Sequence, residues 1–203
     1  MRTRLLLISH PATAAQPKGA FPADEPLDAR AITEAARFRA SNGTLLNAVD
    51  TTLSSPAACA LDTARALGLD AAIAPDLADI DYGRWRGKRL SELADEEPEA
   101  LAAWTRVPSA ALHGGESFDA LMLRVGYWLD AFDCEGTTLA ITHAPVIRAA
   151  LLHVLRAPSD AFARIEIAPL SIIELQRGER GWTWWPAHPE APRSQDSSRS
   201  SGS

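Results

Sequence analysis

Cysteine is nearly missing from this chain of 203 residues, which has only Cys59 and Cys134. Two thiols make no disulfide framework, and without a Cys-x-x-Cys pair there is no structural zinc or redox motif to read. Long apolar runs are missing too. Leu5-Leu6-Leu7-Ile8, after Met1-Arg2-Thr3-Arg4, imitates the start of a signal peptide. It offers four apolar residues where such a segment needs about seven or more, and no other stretch approaches the roughly 18 of a membrane span. Basic runs and basic helix faces are also lacking: 20 Lys and Arg stand against 26 Asp and Glu, for a net charge of -6. That balance excludes nucleic acid and anionic membranes as partners. A reducing, cytoplasmic setting is expected, and no internal repeat suggests a solenoid.

What is present is an ordinary globular mixture, 46% apolar and 23% charged, long enough to bury roughly 70% of its unfolded surface. A single domain over residues 1–190 is expected, followed by a disordered Ser-rich tail over 191–203 with nothing to pack. Apolar runs at residues 5–8, 48–53, 71–74, 137–142, 165–167, 172–175 and 182–185 read as strands. Helices are expected at 29–40, stopped by Asn42-Gly43, and from a Ser55 cap with Pro56 at the first position to Leu67. Two pieces broken at Pro98 fill 90–106, and a final helix follows Pro145. After a Ser117 cap, Phe118, Leu121, Met122, Val125, Trp128, Leu129 and Phe132 make one helical face that must lie on a sheet. Alternating strand and helix predict an α/β fold, a mostly parallel sheet with an antiparallel edge. Trp182, Trp184 and Trp185 would cover that edge.

Two strands end alike, in Leu5-Leu6-Leu7-Ile8-Ser9-His10-Pro11 and Leu139-Ala140-Ile141-Thr142-His143-Ala144-Pro145. Ligands of open parallel sheets bind at the carboxyl ends of strands, so if these strands are neighbours both imidazoles enter one crevice. Either histidine alone would be a strand-end residue bonded to a carbonyl. As a pair they suit covalent catalysis, one imidazole attacking an electrophile while the other stabilises developing negative charge. A metal site would need a third ligand at recognisable spacing, and none shows. Glu116, in His113-Gly114-Gly115-Glu116-Ser117, and Asp79 and Asp81 before Gly83 are candidate proton donors. His113 itself is expected to be solvated.

At these residues the chain resembles the histidine phosphatase, or phosphoglycerate mutase-like, superfamily. The likeness runs in order through Ser9-His10-Pro11, Ser55-Pro56-Ala57-Ala58-Cys59-Ala60-Leu61-Asp62-Thr63-Ala64 and Leu77-Ala78-Asp79-Ile80-Asp81-Tyr82-Gly83-Arg84-Trp85-Arg86-Gly87. It continues through Gly114-Gly115-Glu116-Ser117 and Thr142-His143-Ala144-Pro145. The resemblance implies a three-layer α/β/α sandwich and hydrolysis of a small phosphomonoester. His10 would be phosphorylated, His143 would stabilise the transferred group, and Asp79 or Glu116 would donate the proton. No metal or organic cofactor is implied, and a symmetric homodimer is the base-rate expectation.

The departures fall on the phosphate grip. The two arginines that clamp phosphoryl oxygens in this family are Ser9 and Cys59 here, and Pro11 replaces the glycine after the histidine. Neither serine nor cysteine imitates a guanidinium fork. Three readings stay open. The first is a phosphatase in which other cations, Arg84, Arg86, Lys88 or Arg148, partly replace the pair. In the second, His10 and His143 work on a substrate without phosphate and Cys59 contacts it. The third is a binding or regulatory module.

Overall fold

The apolar run at the start of the chain becomes the middle of a sheet. In the computed structural model, which describes residues 3–186, six strands form one sheet: β1 (Thr3–Ser9), β2 (Thr51–Ser54), β3 (Ala72–Ile73), β4 (Gly136–Thr142), β5 (Ile172–Gly178) and β6 (Gly181–Trp185). Their order is β3-β2-β4-β1-β5-β6. The first four are parallel, while β5 runs antiparallel to β1 and β6 antiparallel to β5. Leu5, Leu6, Leu7 and Ile8 are at most 1% exposed. A strand covered on both faces needs such an unbroken apolar run, and each side chain contributes about 1.5–3 kcal/mol by leaving water.

The helices are α1 (Ala29–Ser41), α2 (Gly43–Asn47), α3 (Ala58–Ala66), α4 (Leu90–Glu96), α5 (Pro98–Arg106), α6 (Phe118–Ala131) and α7 (Ala144–Leu155). Strand periodicity sorts them into layers. Leu5, Leu7 and Ala140 face Leu121, Val125 and Leu129 of α6 and Val146 and Ile147 of α7. Leu6, Ile8, Leu139 and Ile141 face Phe38 of α1, Leu46 of α2, and Ala60 and Ala64 of α3. The result is a three-layer α/β/α sandwich. A separate cluster, Phe21, Tyr82, Trp85, Leu93 and Trp104, joins α4 and α5 to the loop after β1. Among the described residues no helix is long and apolar enough to cross a membrane.

Several elements differ from the sequence reading. Residues 165–167 form no strand: a 3-10 helix, Ser159–Arg164, precedes them, both edges of β1 are already taken, and Ile165 and Ile167 pack on the core as loop. α3 starts at Ala58 with Ala57 as N-cap, so Ser55 and Pro56 lie outside it. Asn42-Gly43 ends α1 but also begins α2. His113 is buried, not solvated, with its ring edge-on to Trp85 and its Nδ1 accepting from Gly115 N–H at 3.1 Å. In β6, Trp182 donates its Nε1–H to Leu129 O, whereas Trp184 and Trp185 stay 47% and 42% exposed. The expected tail over 191–203 lies outside the described residues.

Two loops that carry acidic candidates are knitted backbone to backbone. Arg84 N–H donates to His113 O and Glu116 N–H to Asp81 O. The approach requires glycine, since a Cβ on Gly115 would lie 2.0 Å from Asp81 O and one on Gly83, at φ +50°, 2.4 Å from His113 O. We expect Gly115→Ala to cost about 1–3 kcal/mol of stability, as overpacking does. Gly178→Ala, where no atom lies within 4 Å of the added Cβ, should cost much less. Urea denaturation of the two variants checks the difference.

Candidate active site

Register decides what the two histidines can do. β1 and β4 pair with Ser9 opposite Thr142, so both chains leave the sheet at the same level. His10 N–H donates to Thr142 O, and the rings of His10 and His143 meet edge to face with centroids 5.0 Å apart. His10 Nδ1 lies 2.7 Å from Pro11 O. A carbonyl can only accept, so Nδ1 carries the proton and the Nε2 lone pair is free. Burial and the neighbouring His143 lower the His10 pKa, which keeps this imidazole neutral.

His143, the N-cap residue of α7, is buried, with Nε2 2.8 Å from Ser55 Oγ and Nδ1 3.6 Å from Asp79 Oδ2. Ser55 donating to Nε2, with Nδ1–H turned to Asp79, satisfies all three groups. Desolvation, aided by Arg124, pushes the His143 pKa down to about 4. Desolvation pushes Asp79 the other way, to about 6, against the Ile80 N–H that it accepts. One cavity of about 760 Å³ receives His10, His143, Asp79 and Cys59, with Arg86 and Arg148 among its other walls. Ligating atoms of His10, Cys59 and His143 all lie within 4.8 Å of one another.

Four of the predicted positions therefore line one cavity, and Arg148 lines it too, paired with Glu166 at 3.2 Å. Three do not. Ser9 turns away to donate to Ala168 O at 2.8 Å. Arg84 swings outward to Glu97 and Leu112 O. Glu116 is held by two bonds from Arg124, at 2.9 and 2.8 Å, and is not among the cavity walls.

Two participants escaped the sequence reading. Ser55 looked like a helix cap, yet its hydroxyl orients His143. Arg124 binds Glu116 and also donates to the carbonyls of Asp76 and Ala78, which fixes the segment leading to Asp79. Its signal was an arginine between Met122 and Val125, within an otherwise apolar helix face. The wall also carries carboxylates that went unnoticed. Asp24, at φ +67°, accepts Ala58 N–H at the start of α3, and Glu25 accepts Ala23 N–H and the Thr13 hydroxyl.

Comparison with known proteins meets this geometry. A bifunctional protein of Mycobacterium tuberculosis is 32% identical over 183 residues, covering 85% of this chain. The chain spans about half (50%) the length of that relative. An adenosylcobalamin/alpha-ribazole phosphatase of Salmonella typhimurium is 31% identical over 190 residues, 86% of this chain and 92% of its own. Among solved structures, the alpha-ribazole phosphatase of Shigella flexneri superposes with a TM-score of 0.77 at 25% identity, over 90% of this chain and 94% of that one. A mycobacterial glucosyl-3-phosphoglycerate phosphatase shares the fold at a TM-score of 0.76 and 23% identity, over 89% and 96%. Residues 5–185 match the model of one family, and with twin histidines at adjacent parallel strand ends the chain belongs to the histidine phosphatase superfamily (branch 1).

Proposed function

We propose that the chain hydrolyses a small phosphomonoester through a phosphohistidine at His10. Family membership and a phosphatase relative at 31% identity support a phosphatase-type function. The observation that carries the finer reading is the Pro11 carbonyl on His10 Nδ1, which leaves Nε2 as a neutral nucleophile beside His143 and Asp79. In the first step the Nε2 lone pair attacks phosphorus, the bond to the leaving oxygen breaks, and Asp79 gives that oxygen its proton. In the second, Asp79 takes a proton from water, the water oxygen bonds phosphorus, and the P–N bond returns its electrons to His10. His143, with Arg86 and Arg148 on the cavity wall, steadies the charge on the transferring group.

Without the paired arginines the grip is weak. Charge-assisted hydrogen bonds contribute about 1.5–3 kcal/mol each, and a transition-state arginine elsewhere is worth about 10³–10⁵ in rate. One observation favours the second reading, a substrate without phosphate. The first turn of α3, whose free N–H groups suit an anion, is already met by the Asp24 carboxylate.

Five outcomes are expected of metal-free, chelator-treated protein. His10→Ala abolishes turnover of a phosphomonoester panel, and intact-mass analysis of the unsubstituted protein shows one added phosphoryl group under turnover. No mass gain despite turnover removes the phosphohistidine. Asp79→Asn slows alkyl phosphates by about 10²–10⁴ and spares an activated aryl phosphate, whose leaving oxygen needs no proton. Because Asp79 keeps its proton up to about pH 6, kcat/KM on alkyl substrates falls as pH rises through that value. Rate against pH shows it, and a rate still climbing past neutrality removes Asp79 as donor. Cys59→Arg raises phosphatase kcat/KM by about 10- to 100-fold, one charge-assisted contact. No gain shows that other cations already fill the place.

A further inference from the structure

The substitution that weakens a phosphate grip builds something else. Where the family's second arginine would stand, Cys59 brings a sulfur to two imidazoles, and the three ligating atoms lie within 4.8 Å of one another. We propose that His10, Cys59 and His143 form a binding site for a borderline divalent transition-metal ion of zinc's type.

The donor set selects the ion. One thiolate and two imidazoles suit zinc or cobalt and repel magnesium and calcium, which require oxygen. A four-coordinate ion with bonds of about 2.0–2.3 Å holds its ligands about 3.3–3.6 Å apart. Ring and thiol rotations at two strand ends and the first turn of α3 supply the remaining contraction of about 1 Å. The fourth position opens to the cavity.

The outer shell is in place. A ligating histidine normally donates its other ring N–H to a fixed acceptor or is held by a neighbouring polar group. His10 Nδ1 is bound to Pro11 O and His143 Nε2 to Ser55 Oγ. That leaves His10 Nε2 for the ion, and His143 Nδ1 once the His143 proton moves to Nε2 and is donated to Ser55 Oγ. Asp79, 3.6 Å from His143 Nδ1, supplies a second negative charge, so thiolate and carboxylate together balance a dication. Asp24 and Glu25 line the same cavity as Asp79. An arginine at position 59 would place a fixed positive charge there and exclude the ion. On binding, the S–H bond breaks, its proton passes to solvent, a sulfur–metal bond forms, and water leaves the ion.

The site does not rest on the phosphatase reading and is tested with no phosphoester present. The two uses do compete for His10 Nε2, so a bound ion would hold the nucleophile silent. Titrating chelator-stripped protein with Co²⁺ should give a thiolate-to-cobalt charge-transfer band in the near ultraviolet, saturating at one equivalent and displaced by Zn²⁺. Cys59→Ser should abolish the band and weaken Zn²⁺ binding at least about 100-fold. Cys134→Ser, at the other free thiol, should leave both unchanged. Zn²⁺ at about 100 times its Kd should raise the melting temperature of the unsubstituted protein by roughly 5–10 °C and leave that of Cys59→Ser unmoved. Melting of the ion-free variants shows that they fold. A band surviving Cys59→Ser, failure to saturate at one equivalent, or no band at all overturns the site.

Discussion

The parallel pairing of β1 with β4 is the constraint on which the rest depends. Side-chain direction has a period of two along a strand, so a register slip of one residue would send every core side chain to the opposite face. With Ser9 opposite Thr142, alternate leucines fill both helical layers and the two histidines leave the sheet side by side. The core therefore sets the distance between the imidazoles. A group whose spacing is fixed by buried leucines needs no flexible loop to hold it, and the loops are left to bring acids and cations to a pair already in place.

The loops do this with interlocks of their own. Arg124 gathers Glu116 and the carbonyls of Asp76 and Ala78, while Gly83 and Gly115 let the two acidic loops touch backbone to backbone. The desolvation that raises Asp79 and lowers His143 follows from this closure. Shared burial disfavours the charged form of both groups, so the carboxyl keeps its proton up to about pH 6 beside an imidazole that stays neutral. One pocket thereby provides both a proton donor and a neutral base.

Much of this could be read from the chain. The alternation of strands and helices gave the α/β class with its parallel sheet and antiparallel edge, the family resemblance gave the three layers, and the repeated strand ending gave His10 and His143, because a buried parallel strand must stop where its apolar run stops. The loop before Gly83 offered Asp79 and Asp81 alike, and the family resemblance chose Asp79 from the two. The rest depended on directions that sequence order does not carry. Arg84 and Asp79 share a loop, yet Arg84 turns to Glu97 outside the cavity. Glu116 looked free because its partner, Arg124, sits eight positions on inside an apolar pattern. Cys59 read as a substrate contact in place of an arginine and not as a partner of the histidines, since only the docking of α3 on the sheet brings its sulfur to the imidazoles. The residues 165–167 alternate like a strand, but both sides of the central β1 are taken by β4 and β5.

Asp24 carries a consequence for what the pocket can hold. It adopts a left-handed backbone, φ +67°, that a side chain rarely accepts, and from there its carboxylate accepts the first amide of α3. A carboxylate tethered in this way acts as a resident ligand at an effective concentration of millimolar or more. An incoming anion must displace it as well as bind, so the apparent affinity for any anion at that turn is set by the contest with the chain's own side chain. A cation meets no such rival.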